Sequence, residues 1–263
     1  MAWPASARNG LQYVAGGLKP LLFLIAVIIV WQYGIAFTSV PSYILPLPSE
    51  IFERFVATFA VQLHHLGFTA MTTLIGLVIA LGFGVLLALL VIYVPAVKGI
   101  VLPFLAAFNG IPKIAIAPLF IIWFGLGIES KILLAFLLAL FPIFVNSLTG
   151  LGELETDMLD LSRLAGGSEL RIFTKVRLMN ALPYIADALK VAFPLALVGS
   201  IVGEFIGGNR GIGYLILSAQ FTMDTALVFA ALLSITVFTS LGIGALVVFE
   251  RVFLKWRPSQ RSR

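Results

Sequence analysis

Between Leu66 and Val94 the chain reads LGFTAMTTLIGLVIALGFGVLLALLVIYV, without a single charged side chain. A helix of roughly 20 mostly apolar residues crosses a hydrocarbon core about 30 Å thick, so this run is long enough to span a bilayer. A helix satisfies every backbone hydrogen bond within its own segment, which lipid requires. Gly76, Ala80, Gly84 and Ala88 recur every four residues within the run. They line one helix face with small side chains and let another helix approach closely.

Apolar runs recur on both sides of this stretch. Pro20 to Phe37 follows Arg8 and Lys19; it is too long, and too weakly terminated by small residues, for a cleaved signal peptide, and reads as a retained first span. After the proline-rich Pro41 to Pro48, Ile51, Phe52, Phe55, Val56, Phe59 and Leu63 recur at helical spacing among Glu50, Glu53 and Arg54. That is the pattern of a short amphipathic helix at an interface. Gly99 to Gly127 is apolar but interrupted by Pro103, Pro112 and Pro118, with one charge at Lys113, which predicts a broken or kinked helix. Ile132 to Thr149, Val191 to Ile206 and Ala226 to Phe249 complete an expected six spans, while Ile212 to Phe221 is apolar but too short to cross.

Hydrophobic residues make up 60% of the chain and charged ones 11%, which excludes an ordinary soluble globular domain. The expected class is therefore an all-α polytopic membrane protein. The chain has no cysteine, and its two histidines are the adjacent His64 and His65, so neither a disulfide framework nor a histidine metal cluster is expected. Adjacent histidines project to different helix faces, and an interfacial structural role is the simpler reading for them.

The net charge of +5 fits the excess of Lys and Arg in cytoplasmic loops better than nucleic-acid binding. An N-terminus inside puts Arg8, Lys19, Lys98, Arg163, Arg171, Lys175, Arg177 and the tail residues Arg251, Lys255, Arg257, Arg261 and Arg263 in the cytoplasm. Arg54, Lys131 and Arg210 fall outside. The expected layout is a cytoplasmic segment over 1–19, one membrane domain over 20–250 with both termini inside, and a basic tail over 251–263.

Only one segment between spans is long, charged and helical in pattern, from about 152 to 187. Asp157 to Arg163, Leu164 and Ala165 lead into Gly166 and Gly167, and Ser168 and Glu169 then open a second stretch. This describes a helix, a glycine bend and a Ser-capped helix with an acidic first turn. The plain alternative is a solvated loop that satisfies the charge bias. Lys113 and Glu204 are charges within apolar spans, and such groups face a polar cavity or a partner. For Lys113 the alternative is a snorkelling or carbonyl-paired lysine, and for Glu204 a carboxylate that reaches the headgroups.

Asp160, Leu161, Ser162, three residues, Gly166, nine residues, then Val176, Arg177 and Leu178 resemble the EAA loop of binding-protein-dependent ABC importer permeases. That family's pattern is Glu-Ala-Ala, three residues, Gly, nine residues, Ile-x-Leu-Pro. Asp160, Leu161 and Ser162 depart from the triplet, and Met179 stands at the proline position. Ile111-Pro112-Lys113, Ala115, Ala117-Pro118-Leu119 and Trp123-Phe124-Gly125 are similar to the third-span region of the nitrate/taurine/sulfonate branch. So are Leu47-Pro48-Ser49, Glu204-Phe205 and the run from Gly211 to Ile216.

The resemblance implies a type I importer permease (MetI-like) fold in a bacterial inner membrane. It also implies a homodimer of permeases in lipid, two cytoplasmic ATPases that bind ATP and Mg, and an extracytoplasmic protein that delivers a small anionic or polar organic solute. Asp160, Leu161, Ser162, Arg163, Gly166, Gly167, Ser168, Glu169 and Arg171 would couple to the ATPase. Pro112, Lys113, Pro118 and Glu204 are the pathway candidates. No Gly-x-x-x-x-Gly-Lys-Ser/Thr phosphate loop occurs in the chain, so no cofactor, catalysis or nucleotide binding is expected of it. An ion-coupled secondary transporter is the alternative, because such carriers also place broken helices and rare charges at mid-membrane. An intramembrane enzyme is a further rival, but the sequence has no His-Glu-x-x-His pair.

Overall fold

The computed structural model describes residues 5–38, 40–154 and 156–254; the tail residues Lys255, Arg257, Arg261 and Arg263 and the side chain of Arg8 lie outside the described residues. Every element among the described residues is helical. Among the described residues four helices are long and apolar enough to cross a membrane, and a fifth crossing results if a sharply bent pair counts as one. The expected first span, Pro20 to Phe37, lies on α1 (Ala5–Ala36) apart from its last residue.

Two compact units divide the chain, one from Met1–Phe59 with Ser218–Leu232 and the other from Ala60–Leu217 with Leu233–Arg263. In the first, the proline-rich stretch leads into α2 (Pro48–Ala57). Leu47 N–H donates to Glu50 Oε2 at 2.9 Å, and Ser49 N–H donates to Gln32 Oε1 at 3.0 Å, so side chains satisfy the open amides of the helix start. α2 buries Ile51 and exposes Phe52 and Val56, in keeping with the amphipathic reading. It ends sooner than the pattern suggests, because Thr58 turns out of helical geometry and its hydroxyl bonds Arg54 O at 2.7 Å. Arg54 forms an ion pair with Asp224, and Trp31 meets Phe229 edge-on at 5.6 Å.

The second unit holds the core. α3 (Phe59–Tyr93) contains the charge-free run, and α4 (Pro95–Asn109) follows it. A single 3₁₀ turn, Lys113–Ile116, then leads into α5 (Ala117–Phe124), and the two arms meet at 87°. The expected break is thus present: Gly110 ends α4, Pro112 stands before the turn, and Pro118 lies in the first turn of α5, where a missing N–H costs no helix bond.

α6 (Ile128–Gly152) is the most enclosed of the membrane-length helices. A Cβ on Gly76 would lie 2.6 Å from Ala135 Cβ, and one on Gly199 would lie 2.5 Å from Leu134 O. Small residues on α3 and on α9 (Leu178–Gly207) therefore let both backbones close on α6. Leu77, Ala80, Ala139, Ile143, Ala192 and Phe193 fill the space between.

The fifth span begins far earlier than Val191. α7 (Thr156–Leu164) is followed by α8 (Glu169–Ile172), a π turn at Phe173–Arg177 and α9, and Glu169–Gly207 runs as one 39-residue helix. Arg171, Lys175, Arg177, Asp187 and Lys190 interrupt the apolar pattern without interrupting the helix. α10 (Ile212–Phe221) is the short apolar segment, and α11 (Thr225–Phe253) is the last. Within the second unit Lys190 ties α9 to α11 through an ion pair with Glu250, and Asp187 Oδ1 accepts from Lys190 Nζ at 2.9 Å.

Candidate functional site

The first candidate region is the bend after α7. Gly166 adopts φ +77°, its N–H donates to Arg163 O at 2.9 Å, and Gly167 N–H donates to Ser162 O at 3.0 Å. These two bonds form a Schellman closure with glycine at the left-handed position. Nothing lies within 4 Å of a Cβ placed on Gly166, so backbone conformation is its constraint, whereas a Cβ on Gly167 would stand 2.7 Å from Ser162 O. Close packing therefore belongs to Gly167, a distinction the sequence does not carry.

Ser168 then caps α8, its Oγ accepting from Arg171 N–H at 3.4 Å, with Glu169 in the first turn as the pattern requires. Arg163 reaches Glu169 at 3.2 Å and Asp160 at 3.6 Å. Leu161, Leu164 and Leu170 are exposed, Leu164 at 86%. The bend thus presents leucines beside a small set of interlocked charges.

The second region is the broken α4–α5 pair. Lys113 Nζ turns back on Asn109, donating to its Oδ1 at 2.6 Å and approaching its backbone O at 3.4 Å. The lysine fastens the residue that ends one arm to the residue that starts the other. Pro112 and Pro118 are exposed on the same corner.

Glu204 lies elsewhere. It is fully buried near the end of α9. Thr69 on α3 donates to Glu204 Oε1 at 2.8 Å, and Gly213 N–H donates to Oε2 at 2.8 Å. Ile212 N–H donates to Thr69 Oγ1 at 2.8 Å, and Ser200 approaches Oε1 at 3.5 Å while sharing a hydrogen bond with Thr72. The carboxylate therefore binds α3, α9 and the start of α10 together. Gly211 at φ +102° passes so close that a Cβ would fall 2.1 Å from Glu204 Cδ.

Lys131, expected among the outer basic residues, is 2% exposed, with Nζ donating to Leu126 O and Gly127 O at 2.9 Å and to Gly207 O at 3.3 Å. It satisfies carbonyls left open where the chain leaves α5 and where α9 ends. Its burial follows from that convergence, which no local pattern encodes.

Residues 80–255 match the model of the binding-protein-dependent transport system inner membrane component. The chain belongs to that family. A probable ABC transporter permease protein of Haemophilus influenzae is 36% identical over 82% of this chain and 88% of its own length. The formylaminopyrimidine transport permease protein ThiX of Halalkalibacterium halodurans is 33% identical over 92% of this chain and 97% of its own.

The fold matches a chain of the MetNI methionine ABC transporter, solved in inward facing conformations, with a TM-score of 0.60 and 22% identity over 73% of this chain and 93% of that one. The MetI-like architecture implied by the loop residues is therefore the observed one. Aliphatic sulfonate and taurine permeases are also relatives, in agreement with the branch implied by the sequence. The permease is an inner membrane component of an ATP-driven importer, with ATP hydrolysis performed by a partner ATPase, and the secondary-carrier alternative falls away.

Proposed function

We propose that this permease forms, with a second identical copy, the pathway for a small anionic or polar organic solute delivered by an extracytoplasmic binding protein. The names of its relatives support a solute of formylaminopyrimidine or sulfonate character. Two ATPase subunits carrying ATP and Mg then act on the bend between α7 and α8. Both termini are cytoplasmic in this reading, with 1–19 and 251–263 flanking the permease domain 20–250.

The observation that carries the coupling role is the Schellman-closed bend, which holds Leu161, Leu164 and Leu170 out of the permease core beside Asp160, Arg163 and Glu169. Force applied in the cytoplasm needs a stiff contact, and α8 continues without a break into α9. A push on the bend is thereby delivered along the helix that carries Glu204. Lys113 with Pro112 and Pro118 forms the pathway corner, while Glu204 acts from inside the bundle.

A Gly166→Leu permease tests the reading. It should insert and bind lipid as the parent does, yet lose ATPase capture on co-purification and lose substrate-stimulated hydrolysis. Full assembly with full stimulated hydrolysis would reduce the bend to a passive connector.

A further inference from the structure

Where α3 ends, α4 begins, α6 ends and the π turn precedes α9, a cavity of about 550 Å³ opens within the second unit. Ile92 and Leu148 give it apolar lining, while Lys98, Arg177, Thr149 and Glu153 give it polar lining. Arg177 is fixed there by two contacts. Its Nη1 donates to Leu151 O at 2.9 Å, and its guanidinium stands 6.0 Å from the centre of the Tyr93 ring. Neither a carbonyl nor a ring neutralises the charge, and Nε is enclosed without an acceptor.

Glu153 lines the same cavity, but among the described residues no ion pair joins it to Arg177 or to Lys98. Two cations against one carboxylate leave the cavity positive. A basic cavity with apolar lining at the cytoplasmic ends of membrane helices suits an anionic amphiphile rather than a simple ion.

We propose that this cavity holds the phosphate of an anionic phospholipid from the cytoplasmic leaflet. Lys98 and Arg177 take the phosphate oxygens through charge-assisted hydrogen bonds, Thr149 donates its hydroxyl to the same group, and the first carbons of the lipid lie on Ile92 and Leu148. Free phosphate shares the ionic chemistry but leaves the apolar lining unused. The proposal rests on the cytoplasmic placement of Lys98 given above. Because Arg177 sits in the π turn that joins α8 to α9, a lipid held there would brace the helix that receives the push from the ATPase.

The permease with its ATPase, purified in detergent containing equal phosphatidylglycerol and phosphatidylcholine, is to be analysed by native mass spectrometry for retained lipid. Preference for phosphatidylglycerol should fall about five-fold in Lys98→Gln, as expected for one basic residue at an anionic lipid, and further in Arg177→Gln. It should be unchanged in Arg210→Gln. Lys98 is exposed at the rim, so its substitution leaves the fold intact. Equal retention of both lipids by the parent protein, or unchanged preference in Lys98→Gln, overturns the proposal. So does a delipidated transporter that binds inorganic phosphate through Lys98 while showing no phosphatidylglycerol preference. Retention is read in detergent and is independent of orientation, whereas labelling of Lys98→Cys from one side of the membrane tests the orientation alone.

Discussion

Thr69 stands between Glu204 and the first amide of α10, donating to the carboxylate at 2.8 Å and accepting from Ile212 N–H at 2.8 Å. One hydroxyl thus links α3, α9 and α10 at a site fully shut off from solvent. Low-dielectric surroundings strengthen such bonds and raise the cost of losing one.

Thr69→Val keeps the shape and removes the hydroxyl, leaving Glu204 Oε1 short of a donor and Ile212 N–H without an acceptor. A buried polar group left unsatisfied costs about 1–3 kcal/mol. The thermal midpoint of the purified permease should fall by several degrees in Thr69→Val and recover in Thr69→Ser. An unchanged midpoint would mean that water or rearrangement replaces the hydroxyl.

Glycines on two helices separate packing from composition. Gly199→Ala would put a methyl group 2.5 Å from Leu134 O, whereas at Gly82 nothing lies within 4 Å of an added Cβ. Forcing apart α6 and α9 should cost about 1–3 kcal/mol, the usual penalty of overpacking. Gly82→Ala should be neutral or slightly stabilising, since alanine favours the helix by up to about 1 kcal/mol. Detergent stability of both proteins measured side by side checks the contrast, and equal behaviour would contradict the packing described.

These two sites mark how much the sequence reveals. The run from Leu66 to Val94 announces its helix because charge is absent, and the four-residue spacing of Gly76, Ala80 and Gly84 announces a close neighbour. The neighbour itself, α6, is fixed by tertiary packing. Glu204 is visible as a rare charge in an apolar span, but its partner Thr69 is 135 residues away, and threonines on an apolar helix carry no marker of pairing. Gly166 is legible because a Schellman turn is local chemistry: glycine pair, serine cap and acidic first turn lie within a few residues. The extension of α9 back to Glu169 is hidden because its charges suit the water outside the membrane, and hydropathy reads them as a loop.

Lys113 offers a test of the pathway corner. A charge at mid-membrane costs on the order of 2.5–3.5 kcal/mol by insertion scales, and the Asn109 carbonyl group offsets part of this. Lys113→Met should assemble with its ATPase and show transport reduced by an order of magnitude or more, with basal hydrolysis retained. Transport at the parental rate would remove Lys113 from the pathway and leave it as a fastener of the break.

Orientation is checked through a chain that has no native cysteine. Arg210→Cys, exposed in the loop before α10, should react with a membrane-impermeant maleimide in cells whose outer membrane has been made permeable. Lys98→Cys should react only after the inner membrane is opened. The reverse pattern would invert the topology and with it the assignment of the α7–α8 bend to the ATPase.

At that bend, Leu164 is 86% exposed and Leu161 70%, and they lie three residues apart on one face of α7. Leaving apolar side chains in water forgoes about 1.5–3 kcal/mol for each one that a partner could bury, so they are expected to seat in the ATPase. The charges of Asp160, Arg163 and Glu169 already engage one another and, at a solvent-exposed rim, are each worth little. Leu164→Asp should therefore weaken ATPase capture by one to two orders of magnitude, while Arg163→Gln changes it only a few-fold. Because Leu164 makes little contact within the permease, the thermal midpoint of the isolated permease should stay the same in both. Parental affinity in Leu164→Asp, with a loss confined to Arg163→Gln, would move the docking energy from the leucines to the charges.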